Sequence, residues 1–276
     1  MGFDSAPGFP DTGLYGGQVT DPGGDYIVKS RFGAPPGFFD WEAAGLRWLA
    51  EATATGGAAV VTIRSVSSEM IVLHRVIEAP ASRIAAEAFG RALAATHAQG
   101  ADAFGAGPPG WSGAGFIGRQ ELALQRFSKW GEFYAATRVR PYATAAHRIG
   151  NLSSAGLQTI ERVCERLLAG EFDDGRPPAR IHGDLWAGNV LYSPVGAVLI
   201  DPAAHGGHGL TDLAMLALFG TEYLDRVQAG YACAAELTAG WVDLLGLHQL
   251  HPLLVHAVTH GPSYGDQAAR TAVRYE

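Results

Sequence analysis

Residues 182–201 constrain this chain more than any other stretch. HGDLWAGN (182–189) leads into VLYSPVGAVLI (190–200), two short apolar runs around a Ser-Pro-Val-Gly turn, and LIDP follows. Apolar runs flanking such a turn predict a β-hairpin. A hairpin folds its ends back to one edge, so Asn189 and Asp201 meet across its open end, and Asp184 projects from the loop before it. Three oxygen-bearing side chains then converge. Asn189 and Asp201 suit a hard cation with oxygen ligands, Mg²⁺ above all, which retains waters and leaves room for phosphate oxygens. Asp184 is free for another task. Any one of these residues alone would read as an ordinary turn or capping residue. All three at this spacing do not.

The surrounding chain excludes several classes. A net charge of −7 argues against a protein that binds a phosphate backbone, which needs a basic face. The opening MGFDSAPGFPDTGLYGG has neither a basic nor an apolar leader region, and no apolar run approaches the length of a membrane span. A cytoplasmic protein is expected. Cys164 and Cys233 lie in separate helix-like segments, which excludes a disulfide framework or a CxxC metal site. With 276 residues the chain is long enough for one large domain or two lobes.

The first 75 residues carry strand signals at 25–30, 58–65 and 69–76, read as one small antiparallel sheet. Between the first two lies FFDWEAAGLRWLAEA, whose apolar spacing predicts a helix with Asp40 as N-cap. Beyond residue 80 the periodicity becomes helical, over 82–99, 128–139, 154–170 and 210–220. The alanine-rich stretch 83–95 implies tight helix packing. The fold class expected is α+β, with a nucleotide-binding lobe at 1–76 and a mainly helical catalytic and substrate-binding lobe at 77–276.

An aspartate, an asparagine five residues later and a second aspartate after the next hairpin also make up the catalytic spacing of protein kinases. HGDLWAGN with LIDPAAHGGHGLTDLAMLALFG more closely resembles the fructosamine-3-kinase (ketosamine-3-kinase) family, a branch of the aminoglycoside-phosphotransferase and choline-kinase group. Trp186, directly after HGDL, is the discriminating feature. FFDWEAAGLRWLAE, SKWGEFYAATRVRPY and LHQLHPLLVHAV are similar to further family segments.

The resemblance implies a two-lobed protein-kinase-like fold. It also implies ATP- and Mg²⁺-dependent phosphorylation of the sugar 3-hydroxyl of ketosamines, on small amines or on glycated proteins. By resemblance Asp184 is the catalytic base, Asn189 and Asp201 bind metal, Lys29 holds the nucleotide phosphates and Glu42 is its ion-pair partner. Without it, Lys29 reads as an edge-strand lysine and Glu42 as a solvated helix glutamate. His182 is expected to brace the loop backbone, and Asp212 to hydrogen-bond that loop from a helix start. Relatives carry a GGxxNEAY-type loop over the phosphates. The only counterpart here is GFPDTGLYGGQV (8–19), which lacks the Asn-Glu pair and offers Gly13, Gly16 and Gly17.

Two other readings come from the same residues. His205, His208, His248, His251, His256 and His260 suggest zinc, but no HExxH glutamate accompanies them. Some of these histidines, with Trp111, Phe116, Trp130, Phe133, Tyr134 and Arg138, are candidates for an acceptor pocket, although core packing is the ordinary role of each aromatic taken singly. The alternatives to a ketosamine kinase are an aminoglycoside or choline-type phosphotransferase of the same fold, or an ATP-binding relative with little turnover.

Overall fold

The structure, a computed structural model, describes residues 18–20 and 24–276. Strand β1 (Gln18–Thr20) pairs with β2 (Tyr26–Ser30), and α1 (Phe38–Ala50) follows. The helix starts earlier than Asp40. Its N-cap is Gly37, at φ 78°, directly after Pro35-Pro36, and Asp40 lies in the first turn, where a carboxylate complements the helix dipole.

The segment expected as one strand at 58–65 is two. β3 (Ala59–Val60) leaves the first sheet and pairs in parallel with a strand 139 residues later, whereas β4 (Ile63–Val66) pairs with β5 (Met70–His74) across a bulge. The adjacent apolar pair Val60-Val61 breaks the alternation a single strand requires, and the chain changes sheets there. The first sheet is antiparallel in the order β1-β2-β5-β4.

Helix α2 (Arg83–Ala98) is capped by Ser82, whose Oγ accepts the Ala85 N–H. A small ribbon, β6 (Gly115–Ile117) with β7 (Gln120–Leu122), precedes α3 (Trp130–Phe133). The expected helix at 128–139 begins at α3, passes through one π-helical stretch, Tyr134–Val139, and continues as α4 (Arg140–Arg148). Pro141 therefore follows directly on the π-helical stretch, inside a continuous run of helix. Helix α5 (Ser154–Leu168), capped by Ser153, follows.

Strand β8 (Ala179–Ile181) leads into the 182–189 loop, and β9 (Val190–Ser193) with β10 (Gly196–Leu199) form the expected hairpin, Ser193 opposite Gly196. Next come β11 (His205–Gly207), α6 (Leu210–Phe219), α7 (Leu224–Ala234), α8 (Leu245–Thr259) and α9 (Pro262–Ala272). The tight packing expected of α2 is real. A Cβ on Gly90 would lie 2.0 Å from the Val227 carbonyl oxygen, and one on Gly230 would lie 2.1 Å from that of Glu87, so α2 and α7 meet backbone to backbone. One core lies among α3, α4, α5, α8 and α9, a second under α2, α6 and α7, and a third between α1 and the first sheet. No helix among the described residues is long and apolar enough to cross a membrane.

Candidate active site

The 182–189 loop is fixed from below before its side chains are considered. β8 pairs with β11, His205 opposite Ile181, which ties the start of the loop to the HGGH segment. Gly183 adopts φ 80°, and a Cβ there would lie 2.3 Å from the Ala203 carbonyl oxygen, so this step needs glycine. Asp212, fully buried in the first turn of α6, accepts the N–H groups of His182 (2.7 Å) and Gly183 (2.9 Å). It also meets His97 Nε2 at 3.0 Å, and His97 Nδ1 meets the Tyr231 hydroxyl at 2.8 Å. Burial alone would raise the Asp212 pKa, but the hydrogen bond and charge interaction with His97 and the Gly183 N–H hold it below the ordinary value.

His182 has the bracing geometry. Its Nε2 donates to the Ile200 carbonyl at 2.8 Å, just before Asp201, and its Nδ1 accepts the Asp184 N–H at 3.2 Å. Burial lowers its pKa, which keeps the ring neutral. The loop and the far end of the hairpin are thereby tied together. Asn189 completes the turn, with Nδ2 donating to the Asp184 carbonyl at 2.7 Å and lying 3.5 Å from the Asp201 carbonyl. Asp184, Asn189 and Asp201 do converge.

Lys29 is 1% exposed and lies between two carboxylates, 2.6 Å from Glu42 Oε1 and 2.7 Å from Asp201 Oδ1. Burial would lower its pKa, but these two neighbours hold it above the ordinary value. Glu42 is pushed up to about 7, chiefly by burial, with Lys29 opposing and Asp201 adding to the rise. Asp201 adopts φ 54°, a left-handed conformation that aspartate tolerates better than most residues. The half-buried Asp184 carboxyl is pushed up to about 7, first by burial and then by the charges of Asp201 and Asp212. One ammonium thus sits between two carboxylates, and its charge also reaches Asp184.

Asp184, Asp201 and Glu42 border a common cavity of about 30 Å³ whose other walls include Phe38, Trp41 and residues 116–118. Of the aromatic candidates, Phe116 lines it, and Trp111 packs on Trp41 with ring centroids 5.6 Å apart. Trp130, Phe133, Tyr134 and Arg138 are buried in the helical region instead. His248 stacks on Trp130 at 4.4 Å, and His205 packs against Phe133. Burial pushes the His205 pKa down to about 3, with Arg138 adding to the fall. Among the described residues no three His, Cys, Asp or Glu side chains group so as to hold a metal ion. Gly13, Gly16 and Gly17 lie outside the described residues. The sequence named Phe116 as an acceptor-pocket candidate but did not single out Phe38, Trp41, Ile117 or Gly118 as walls of this cavity.

Residues 16–275 match the family model described as fructosamine kinase. A protein of Thermus thermophilus named "probable ketoamine kinase" is 33% identical over 257 residues, spanning 92% of this chain and 90% of the relative. A crystal structure from Thermobifida fusca, described as a candidate fructosamine-3-kinase, superposes with a TM-score of 0.83 at 43% identity, covering 91% of this chain and 85% of that one. An ADP-bound aminoglycoside phosphotransferase shares the fold alone, with a TM-score of 0.55 at 12% identity over 91% of this chain and 88% of its own. With its two-lobed α+β kinase-like architecture, the chain belongs to the fructosamine kinase family of phosphotransferases.

Proposed function

We propose that this chain is an ATP- and Mg²⁺-dependent kinase acting on the sugar 3-hydroxyl of ketosamines, carried by small amines or by protein lysines, in the cytoplasm. The observation that carries the reading is the Lys29–Glu42–Asp201 ion cluster sharing one cavity with Asp184. Residues 1–76 serve as the nucleotide-binding lobe and 77–276 as the catalytic and acceptor-binding lobe. Lys29, held by Glu42, is placed to neutralise nucleotide phosphate charge.

The donor set suits a divalent cation. Asn189 and Asp201 offer oxygen only, and the excess of carboxylates over ammonium is a negative charge that such an ion would balance. Mg²⁺ held by Asn189 and Asp201 would supply charge neutralisation for the phosphates.

Asp184 orients the acceptor hydroxyl and takes its proton as the sugar oxygen bonds to phosphorus and the ADP oxygen leaves. A carboxyl near 7 releases and accepts protons readily at neutral pH, which suits a general base. Asp212 and His182 do not touch the substrate; they set where Asp184 stands.

The test is ATP consumption with Mg²⁺ and a fructosyl- or ribulosyl-lysine acceptor, beside Asp184→Asn, an aminoglycoside and choline. Ketosamine-dependent turnover that falls by orders of magnitude in the variant, with ATP binding retained, is the expected result. Turnover of the other acceptors alone would overturn the substrate reading. ATP binding without any turnover would make the chain a nucleotide-binding relative.

A further inference from the structure

The β6–β7 ribbon stands apart from the other sheets, its two strands pairing only with each other. A two-stranded ribbon is marginal by itself, so something else must hold it. Three side chains do so, each donating to ribbon backbone or the residue just past it. Trp41 Nε1 donates to the Phe116 carbonyl (2.9 Å), Tyr142 Oη to that of Glu121 (3.0 Å), and Arg138 Nη1 to that of Ala123 (2.9 Å). The fastening is therefore by clamps from α1, the π-helical stretch and α4, not by a sheet.

Beneath the ribbon lies the cavity that borders Asp184. At about 30 Å³ it has room for about two water molecules and none for a sugar amine. An acceptor that approaches Asp184 from this side therefore needs one of the walls, the ribbon or α1, to move. Arg138 adds an independent sign of a second position. It is 1% exposed, and its Nε and Nη2 atoms are buried without a hydrogen-bond partner. Buried donors left unpaired are costly, and movement of the ribbon end whose Ala123 carbonyl holds Nη1 would let them find partners.

Resting on the kinase reading above, we propose that the β6–β7 ribbon is a gate on the acceptor side of Asp184, and that the aromatic side chains of Phe38, Trp41 and Phe116 behind it recognise the protonated amine of the acceptor. The three rings already cluster. Phe116 lies 5.3 Å from Phe38 between ring centroids, and Trp41 is bonded to the Phe116 carbonyl. A cationic amine gains from aromatic faces, while a neutral ketose of similar shape does not. This divides the labour: Asp184 handles the hydroxyl, and the aromatic wall selects the amine.

The experiment compares the wild type with Phe116→Leu, which keeps the ribbon backbone and most of the buried volume. Two quantities are measured, the ratio of kcat/KM for a fructosyl amine to that for free fructose, and amide hydrogen exchange over residues 115–123 with and without each acceptor. The ratio should fall roughly three- to thirtyfold in the variant with KM for ATP unchanged, the range expected from losing one cation–π contact. Exchange in the ribbon should shift severalfold when the fructosyl amine is added, while the β2–β5 sheet is unaffected. An unchanged ratio, or ribbon exchange indifferent to the amine, would overturn the gate while leaving the kinase reading in place. If the wild type turns over no ketosamine, it is the kinase reading that fails. Ribbon exchange with the amine still decides the gate, a response supporting it and none overturning it.

Discussion

Asp212→Asn isolates the support beneath the 182–189 loop from the chemistry above it. In the native arrangement Oδ2 serves both the His182 N–H and His97 Nε2, and Oδ1 serves the Gly183 N–H. An asparagine can place its single oxygen where two donors meet, but its amide NH₂ then faces the Gly183 N–H. The lost bond therefore falls on the residue next to Asp184. A hydrogen bond to a charged acceptor is worth about 1.5–3 kcal/mol, and the two surviving bonds weaken with the charge, so the loss comes to about 3 kcal/mol. At about 2–4 °C per kcal/mol for a chain of this size, Tm should fall by about 6–12 °C. Displacing Asp184 by about 1 Å should reduce kcat about 100-fold, with KM for ATP within about twofold of wild type. Thermal unfolding and steady-state kinetics on the same preparation check both. A variant melting within about 2 °C of wild type, or one that raises KM for ATP as much as it lowers kcat, would refute the reasoning.

Acid should destabilise the fold. Burial holds His182, His205, His248 and His251 below their ordinary pKa, so their contribution is complete above about pH 6.5 and is lost as pH falls through the window below it. Glu42 and Asp184, pushed up to about 7, act in the opposite sense and gain stability as pH falls through 7, so the histidine loss shows below about pH 6.5. Urea midpoints at pH 7.5 and 6.5 should be equal or rise slightly, and the midpoint at pH 5.5 should lie below that at 6.5; a midpoint at pH 5.5 equal to or above that at 6.5 would contradict the assignment. Gly230→Ala should cost about 2–3 kcal/mol despite alanine's better helix propensity, because its Cβ would meet the Glu87 carbonyl; an unchanged melting temperature would show that α2 and α7 can part. Mild oxidation should leave activity intact, since Cys164 is buried with its thiol pushed up to about 12 by that burial and Cys233, exposed on α7, does not line the cavity at Asp184. Activity lost to diamide and restored by dithiothreitol would be evidence against this.

The loop and hairpin were legible because their information is local. Asp184, Asn189 and Asp201 fall within eighteen residues, and a hairpin has one way to bring its ends together. Lys29 and Glu42 were legible only through the family resemblance. A lysine in a short strand and a glutamate in a helix carry no mark of burial, and the second carboxylate on Lys29 arrives 172 residues later. The β6–β7 ribbon was missed because three-residue strands within GPPGWSGAGFIGRQEL look like loop. Helix α4 was missed because Arg-Pro reads as a terminator, and the π-helical stretch that carries the chain into Pro141 leaves no signal in sequence. The histidines after residue 204 suggested a polar site. Burial of His205, His248 and His251 against aromatic rings is a tertiary outcome that spacing cannot report.

That distance of 172 residues between Lys29 and Asp201 also orders events during synthesis. Glu42 follows Lys29 by thirteen residues, so the first pairing can form early. The second carboxylate, and the β10 strand that β3 requires, leave the ribosome roughly ten to thirty-five seconds later at ordinary elongation rates. Throughout that interval β3 presents unpaired backbone, although all four strands of the first sheet have already appeared. The nascent chain is thus exposed to chaperone capture until residue 201 has appeared. Slowing translation between codons 76 and 201 should lower the folded yield without altering the finished protein.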